Sequence, residues 1–198
     1  QPLNSDINRL IDQDLDTQIQ VEESADEDLI RFDVAGIEHF VMTEKGQLEF
    51  TSDDTVKIGL DAGENLPANK RSLFVGHQAG SQMQNNFYNT GVGYRSMASA
   101  TGNNNSGGRT ITAFGAESLE NNNGSDNVAV GFRALRNNTT GINNTAVGAY
   151  TMQLNTTGYR NTAIGRSALT QNTVGFENTA LGYNALNGNT GNFNTSIG

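Results

Sequence analysis

The chain has no cysteine and no tryptophan, and only two of its 198 residues are proline. Without cysteine it can form neither a disulfide framework nor a thiolate metal site. Only 35% of the residues are hydrophobic, which argues against a conventional globular domain built on one large core. No run approaches the ~18–20 consecutive apolar residues that span a bilayer, so no membrane insertion is predicted.

Residues that commonly carry catalysis or bind metals are also scarce. His39 and His77 are the only histidines, and they lie in different segments. The sequence has no Gly-x-Ser-x-Gly, no phosphate-binding loop and no His-Glu-x-x-His. Residues 122–129 match one nonapeptide calcium repeat, but the other units lack its aspartate. We therefore predict that the protein is not an enzyme and has no catalytic, cofactor or metal site.

Charge is distributed unevenly. Residues 1–66 hold 17 acids and 4 bases, a net charge of −13, whereas residues 67–198 hold 4 acids and 8 bases, a net charge of +4. The bases of the second segment are spread about one per repeat and form no dense basic cluster. We therefore predict no nucleic-acid partner.

The second half of the sequence is dominated by a glycine repeat. Its motif ends in glycine at intervals of 17, 17, 17 and 16 residues. Earlier glycines at 115, 93 and 76 extend the pattern with intervals of 16, 22 and 17 residues. Self-similarity at a fixed period indicates a repeat architecture in which each unit packs on its neighbours. The five motifs are NVAVG (127–131), NTAVG (144–148), NTAIG (161–165), NTALG (178–182) and NTSIG (194–198).

Each repeat contributes only about two large apolar side chains, which favours association of several chains. Burying a leucine or isoleucine gains about 1.5–3 kcal/mol, whereas fixing the backbone costs about 1–2 kcal/mol per residue. Because three chains around one axis would pool these side chains, we predict an all-β, elongated homotrimeric fibre. Its repeats would be β-roll-like or β-prism-like, with 16–17 residues each. The predicted trimer core comprises Val130, Val147, Met152, Ile164, Leu169, Leu181, Leu186 and Ile197.

Asparagine and glycine between the apolar positions are interpreted as turn residues, because both tolerate positive φ. The Asn-x-Ser/Thr triplets are interpreted as turn chemistry and ladder hydrogen bonds. On this interpretation Asn172 lies in a turn, and its replacement by aspartate is nearly silent. Glycine directly after valine, isoleucine or leucine indicates a bend or a close approach of another chain.

The chain divides into four predicted segments. Residues 1–16 form a leader or the end of a helical stalk, since their apolar residues recur at helical spacing. Residues 17–66 form an acidic antiparallel β-meander, a neck with period-two alternation. Residues 67–72 form a linker, and 73–198 form the repeat array. We expect the array to continue beyond Gly198, because repeat arrays usually end in an atypical cap.

The repeated motif N-T-A-[VIL]-G-x-x-[AS]-L resembles the repeats of trimeric fibre proteins, namely trimeric autotransporter adhesin heads and the tail fibres of phages and contractile injection systems. Residues 17–42, TQIQVEESADEDLIRFDVAGIEHFVM, resemble a segment of tail-fibre-domain proteins of the Bacteroidetes. The resemblance implies a homotrimer outside the cell, on a phage-like particle or a bacterial surface. It also implies a baseplate or anchor protein on the N-terminal side, a cell-surface glycan or protein receptor, and a C-terminal intramolecular chaperone of the endosialidase type.

The predicted function is therefore a structural and adhesive fibre that mediates attachment to a target cell. The insertion at 101–110 is the candidate contact loop, with Asn103, Asn104, Asn105 and Arg109. One alternative is a monomeric solenoid that binds ice or another surface through stacked threonines. A further alternative is a fibre-borne polysaccharide depolymerase, for which the repeats offer only four carboxylates, Glu117, Glu120, Asp126 and Glu177.

Overall fold

The computed structural model describes the backbone of five strands within residues 1–54, and residues 55–66, 71–84, 88–100 and 110–198 in full. These parts contain strands and turns and no helix. The chain forms two compact units, Gln1–Asp54 and Thr55–Gly198. The all-β class predicted from the sequence is confirmed for the described residues.

The first unit is a five-stranded antiparallel sheet in which neighbouring strands follow one another in the chain. This order agrees with the predicted meander. One feature differs: Arg9–Ile11, within the segment assigned to a leader or helical stalk, pairs with the next strand. Strand pairing there overrides the helical spacing of the leader's apolar residues. The strands are β1 (Arg9–Ile11), β2 (Thr17–Val21), β3 (Ile30–Val34), β4 (Ile37–Met42) and β5 (Leu48–Phe50).

The second unit is a parallel β-solenoid. Nine strands of three residues each pair in sequence order, and each strand comes from one turn of the solenoid. The register is one to one, so residues with the same position in the repeat stack along the axis. The strands are β6 (Val56–Ile58), β7 (Leu73–Val75), β8 (Thr90–Val92), β9 (Thr112–Phe114), β10 (Val128–Val130), β11 (Thr145–Val147), β12 (Thr162–Ile164), β13 (Thr179–Leu181) and β14 (Thr195–Ile197).

The boundary between the units corrects the predicted segments. β6 was assigned to the 17–66 neck, but it pairs in parallel with β7 and begins the solenoid. The array therefore starts at Thr55 and not after the 67–72 linker. The first turn ends in Ile58-Gly59, the same apolar–glycine pair that closes later strands. Of the linker itself, residues 67–70 lie outside the described residues.

The solenoid interior is filled by one chain. The middle residue of most strands is a buried alanine, as in Ala146 and Ala163. In the turns that begin at Gly93, Gly115, Gly131, Gly148 and Gly165, the leucine or methionine four residues after the glycine is also buried. Met152 and Leu169, which the sequence assigned to a core shared between chains, are fully buried inside a single chain. Close packing therefore needs few large side chains per turn, because small alanines let opposite walls approach.

The arc that follows each strand consists of consecutive β-turns. After Gly148, the N–H of Thr151 donates to the Gly148 carbonyl and the N–H of Asn155 donates to the Met152 carbonyl. Tyr150 and Met152 have φ values of 61° and 47°. Positive φ at alternate residues makes these turns tight and directs the Met152 side chain into the interior. Burial of that side chain offsets the cost of the strained backbone.

Glycine closes each strand because the next turn of the same chain lies against it. Gly148 has a φ of 132°, and a Cβ there would lie 2.7 Å from the carbonyl carbon and oxygen of Gly165. The close approach predicted from the sequence is therefore real, but it involves a neighbouring turn and not another chain.

Candidate functional site

The outer face of the parallel sheet carries two straight rows of side chains. The first and third residues of each strand alternate with the buried middle residue, so they share the opposite face of the sheet. Because the strands are in register, the first residues form one row and the third residues another. The first row is Val56, Leu73, Thr90, Thr112, Val128, Thr145, Thr162, Thr179 and Thr195; the third-residue row is Ile58, Val75, Val92, Phe114, Val130, Val147, Ile164, Leu181 and Ile197.

The third-residue row is an apolar stripe with substantial exposure. Phe114 is 56% exposed, Ile164 41% and Leu181 42%. Val130 and Val147 are half-buried, and Ile197 in the last strand is exposed. Five of the predicted trimer-core residues, Val130, Val147, Ile164, Leu181 and Ile197, thus lie on this outer stripe. Leu186 is neither on the outer stripe nor fully buried like Met152 and Leu169, because its part-buried side chain packs against the interior.

The threonine row is regular over its C-terminal part. Thr145, Thr162, Thr179 and Thr195 occupy consecutive strands and are half-buried or exposed. Val128 interrupts the row between Thr112 and Thr145. The outer face therefore combines hydroxyl and apolar groups in parallel rows.

A buried asparagine ladder fixes the register of these rows. The residue before each strand in the later turns is asparagine, and Asn127, Asn144, Asn161 and Asn178 are 0–1% exposed. The Oδ1 of Asn144 accepts from the N–H of Asn161 at 3.0 Å, while its Nδ2 donates to the Gly158 carbonyl at 2.8 Å. Each asparagine thus joins one turn to the next. The ladder hydrogen bonds that were predicted for the Asn-x-Ser/Thr triplets thus also form at asparagines outside those triplets, such as Asn161 and Asn178.

A second asparagine ladder lies beside the first, and Asn127 Nδ2 of the first ladder donates to Asn122 Oδ1 of the second at 3.2 Å. Asn155 Nδ2 donates to Asn138 Oδ1 at 2.7 Å and to the Gly158 carbonyl at 3.1 Å. The Gly158 carbonyl therefore accepts from both ladders, since Asn144 also donates to it. Asn172 belongs to this ladder and is fully buried, so the prediction that it lies in a tolerant turn is wrong.

Both ladders stop short at specific turns. Ile111 stands in the place of the first-ladder asparagine, and neither amide atom of buried Asn89 in the preceding turn has a hydrogen-bond partner. In the second ladder Asn172 Oδ1 has no partner, because Asn189 in the shorter last turn donates to Asn178. In earlier turns the second-ladder position holds apolar Leu66 and Met83.

Ion pairs join three successive turns of the solenoid. Glu120 is buried and accepts from Arg95 and Arg136, at 2.8 and 2.7 Å. Glu117 accepts from Arg133 at 2.8 Å and lies 3.1 Å from Arg136. The hydrogen bond from Arg133 lowers the pKa of the Glu117 carboxyl, and the charges of Arg136, Arg133 and Arg95 add to this against the opposing effect of burial. The same bond raises the pKa of Arg133.

Aromatic and arginine side chains form a row on the corner that follows the sheet, which we call the Tyr–Arg row (Phe132, Tyr150, Arg166 and Tyr183). Phe132 and Tyr150 meet edge to face with ring centroids 5.3 Å apart. The Arg166 guanidinium lies 5.9 Å from the ring centroids of both Tyr150 and Tyr183. Tyr183 is 65% exposed and Arg166 is exposed. The repeat pattern did not predict this row, because its members do not all occupy the same position in the repeat.

A second aromatic row lies on the opposite corner, just before the strands. Tyr159 and Phe176 stack with centroids 4.8 Å apart, and Phe193 meets Phe176 edge to face at 5.1 Å. Arg160 lies over Tyr159 and pairs with Glu177 at 3.0 Å. The outer sheet face is thus flanked by aromatic side chains on both sides.

The remaining site predictions have the following outcomes. The contact residues Asn103, Asn104, Asn105 and Arg109 lie outside the described residues, as does the side chain of His39. His77 lies 3.9 Å from Asp61. Within the described residues no group of three or more histidine, aspartate or glutamate side chains could hold a metal ion, and no helix is long and apolar enough to cross a membrane.

The carboxylates considered for a depolymerase are held by other groups. Glu117, Glu120 and Glu177 are in ion pairs with arginine, and Asp126 accepts from the Thr110 hydroxyl at 3.5 Å. A glycosidase needs one carboxyl that is free to give a proton and another that faces the sugar. Each of the four repeat carboxylates named above is engaged in one of these contacts. Comparison with protein-family models, curated proteins and solved structures finds no match to this chain.

Proposed function

We propose that this chain is a segment of an elongated, non-enzymatic fibre, and that three copies associate through the outer faces of their parallel sheets. The single observation that carries this proposal is the apolar stripe. Valine, isoleucine, leucine and phenylalanine side chains occupy it on successive turns, and several are about half exposed. Contiguous apolar surface of this kind marks a protein–protein interface.

A cyclic arrangement suits the geometry of the stripe. If the symmetry axis runs parallel to the solenoid axis, every turn of one copy faces the equivalent turn of its neighbour. Each additional turn then adds the same apolar contact, so the interface grows with the length of the array. Three copies also accord with the trimeric fibres that the sequence motif resembles.

The biological role that follows is attachment. A fibre of this type would stand outside the cell, on a phage-like particle or a bacterial surface, with an anchor protein at its N-terminal side and a cell-surface glycan or protein as receptor. Such a role needs no catalytic group and no cofactor. It also fits a surface built from repeated threonine, asparagine and aromatic side chains.

Measuring the molar mass in solution tests the association. Multi-angle light scattering of the full chain should give about three times the chain mass of 21.2 kDa. The mass should persist in high salt, because the proposed interface is apolar and salt screens only charged contacts. A folded species of 21.2 kDa at micromolar concentration would contradict the trimer.

A second candidate is a monomeric solenoid that binds ice or another ordered surface. The observation that favours it is the row of threonines on consecutive strands, Thr145, Thr162, Thr179 and Thr195, beside the apolar row. The interior side chains of this solenoid are buried within a single chain, as a monomer would require. Thermal hysteresis in a folded monomer would favour this candidate. A trimer without thermal hysteresis would exclude it.

A further inference from the structure

Arg166 occupies an unusual position on the solenoid surface. Its guanidinium lies between two tyrosine rings that belong to the preceding and following turns, 5.9 Å from each centroid. Arginine stacks on aromatic faces while its five N–H donors stay free for other groups. The two rings therefore hold the guanidinium in place without using up its hydrogen-bonding capacity.

The charge around Arg166 is not compensated. Within residues 110–198, which the structure describes completely, Arg133, Arg136 and Arg160 each pair with a glutamate, whereas Arg166 has no ion pair. The sequence contains no acidic residue between Asp126 and Glu177. An exposed cation in this setting favours an anionic ligand.

We propose that the Tyr–Arg row binds an acidic polysaccharide that runs along the solenoid axis. Tyr150 and Tyr183 would each pack against the apolar face of a sugar ring, and Arg166 would bind the carboxylate of a sugar acid in bidentate fashion. This proposal rests on the attachment function and names the chemical class of the receptor. It assigns recognition to the array itself and not to the 101–110 loop.

The spacing of the row suits a linear polymer. Neighbouring parallel strands lie about 4.8 Å apart, so groups on successive turns repeat at a distance comparable to the length of a pyranose unit in an extended chain. Exposed polar side chains on the same arc, such as Asn184 beside Tyr183, offer hydrogen bonds to sugar hydroxyls. Nucleic acid fits less well, because it requires several basic side chains on one track.

Calorimetric titration of the full chain with polygalacturonate tests the proposal. We expect saturable binding that methyl esterification of the same polymer abolishes, since the ester removes the charge that Arg166 recognises. Arg166→Gln should raise Kd about tenfold, the loss expected for one charged hydrogen-bonding partner. The matched control is Arg160→Gln, which makes the same charge change beside Tyr159 on the opposite corner and should leave Kd within about twofold.

A second pair of variants tests the rings. Tyr183→Ser should weaken binding of polygalacturonate, whereas Tyr88→Ser, on a distant turn, should not. Circular dichroism of each variant should match that of the parent chain, because both side chains are exposed. Loss of binding in the folded Tyr183 variant with retention in the Tyr88 variant would place the polymer on the row.

Several outcomes would overturn the proposal. Three results would each show that the Tyr–Arg row does not bind an acidic sugar. These are equal binding of the methyl ester, equal binding of poly-glutamate, and an equal loss of affinity in the Arg166 and Arg160 variants. Dissociation of a trimer by Arg166→Gln would assign the row to contacts between copies. Light scattering of the same samples separates the two proposals: a trimer without polygalacturonate binding contradicts only the row, whereas a monomer that binds it contradicts only the trimer.

Discussion

The side-chain oxygen of Asn144 accepts two hydrogen bonds from Asn161, one from its backbone N–H at 3.0 Å and one from its Nδ2 at 3.1 Å. The two residues stand at the same position in successive turns, 17 residues apart. Their burial in the solenoid makes these bonds valuable, because an unmade hydrogen bond there has no water to replace it. The asparagine of each repeat is therefore a structural residue of the interior.

Removal of a ladder asparagine should destabilise the solenoid strongly. Asn144→Ala should lower the free energy of unfolding by about 2–4 kcal/mol, because it deletes three buried hydrogen bonds and leaves the backbone N–H of Asn161 without its partner. Asn89→Ala is the control, since Asn89 is equally buried but its amide has no partner. We expect the control to cost less than about 1 kcal/mol. Urea unfolding followed by circular dichroism measures both, and equal costs would contradict the ladder's role.

Replacing a glycine at the end of a strand, even by alanine, should lower the stability of the solenoid. In Gly148→Ala the new Cβ meets the Gly165 carbonyl, and the φ of 132° is unfavourable for a side chain. We expect a loss of roughly 2–3 kcal/mol from steric and backbone strain. Gly188→Ala is the matched control, because nothing lies within 4 Å of its added Cβ. Thermal unfolding should separate the two variants clearly, and a tolerated alanine at 148 would mean that the turns can move apart.

The ion pair between Glu117 and Arg133 should make stability depend on pH. The pKa of Glu117 is lower in the folded chain than its ordinary value of 4.5, so the folded state binds fewer protons than the unfolded state. Its contribution is therefore complete above about pH 4.5 and is lost as the pH falls through the lower folded pKa. The melting temperature of Glu117→Gln should lie below that of the parent at pH 7, and the gap should close in acid. Glu177→Gln, in the exposed pair with Arg160, should show little gap at either pH.

The repeat architecture was readable from the sequence, because its cause is local and periodic. Each glycine needs a backbone conformation that other residues resist, and each strand places one small residue inward. The solenoid strands therefore end at the predicted glycines, from Gly76 to Gly198. The insertion predicted at 101–110 stays a prediction, since residues 101–109 lie outside the described residues.

The inward face was harder to read, because hydrophobicity does not mark it. Ile164 and Leu181 are the most hydrophobic residues of their strands, but they point outward, while Ala163 and Ala180 point inward. The buried asparagines look like turn residues in the sequence, since only the stacking of turns provides their partners. The Tyr–Arg row was missed for a related reason: its members occur in different turns and at slightly different positions of the repeat.

The burial of Asn172 changes the expected effect of Asn172→Asp on stability. The sequence suggested a silent substitution, but Asn172 Nδ2 donates to Asn155 Oδ1 and to the Gly175 carbonyl inside the solenoid. Aspartate has no donor there and buries a charge beside two acceptors. We expect a loss above about 3 kcal/mol at pH 7 that shrinks in acid, where the carboxyl is neutral. Asn184→Asp, on the exposed arc, should be silent in the same thermal assay, and a silent Asn172 variant would contradict its burial.

Charge on the apolar stripe should separate association from folding. Ile164 is 41% exposed in one chain, so Ile164→Asp leaves the solenoid interior unchanged but places a charge in the proposed interface of every copy. We expect its circular dichroism to match the parent, while light scattering falls to the single-chain mass of 21.2 kDa. Leu169→Asp is the contrast, because Leu169 is fully buried within the chain, and it should abolish β-structure itself. If the Ile164 variant keeps a mass of three chains, the stripe does not form the interface. If it loses its fold together with its mass, the chain depends on its partners for folding.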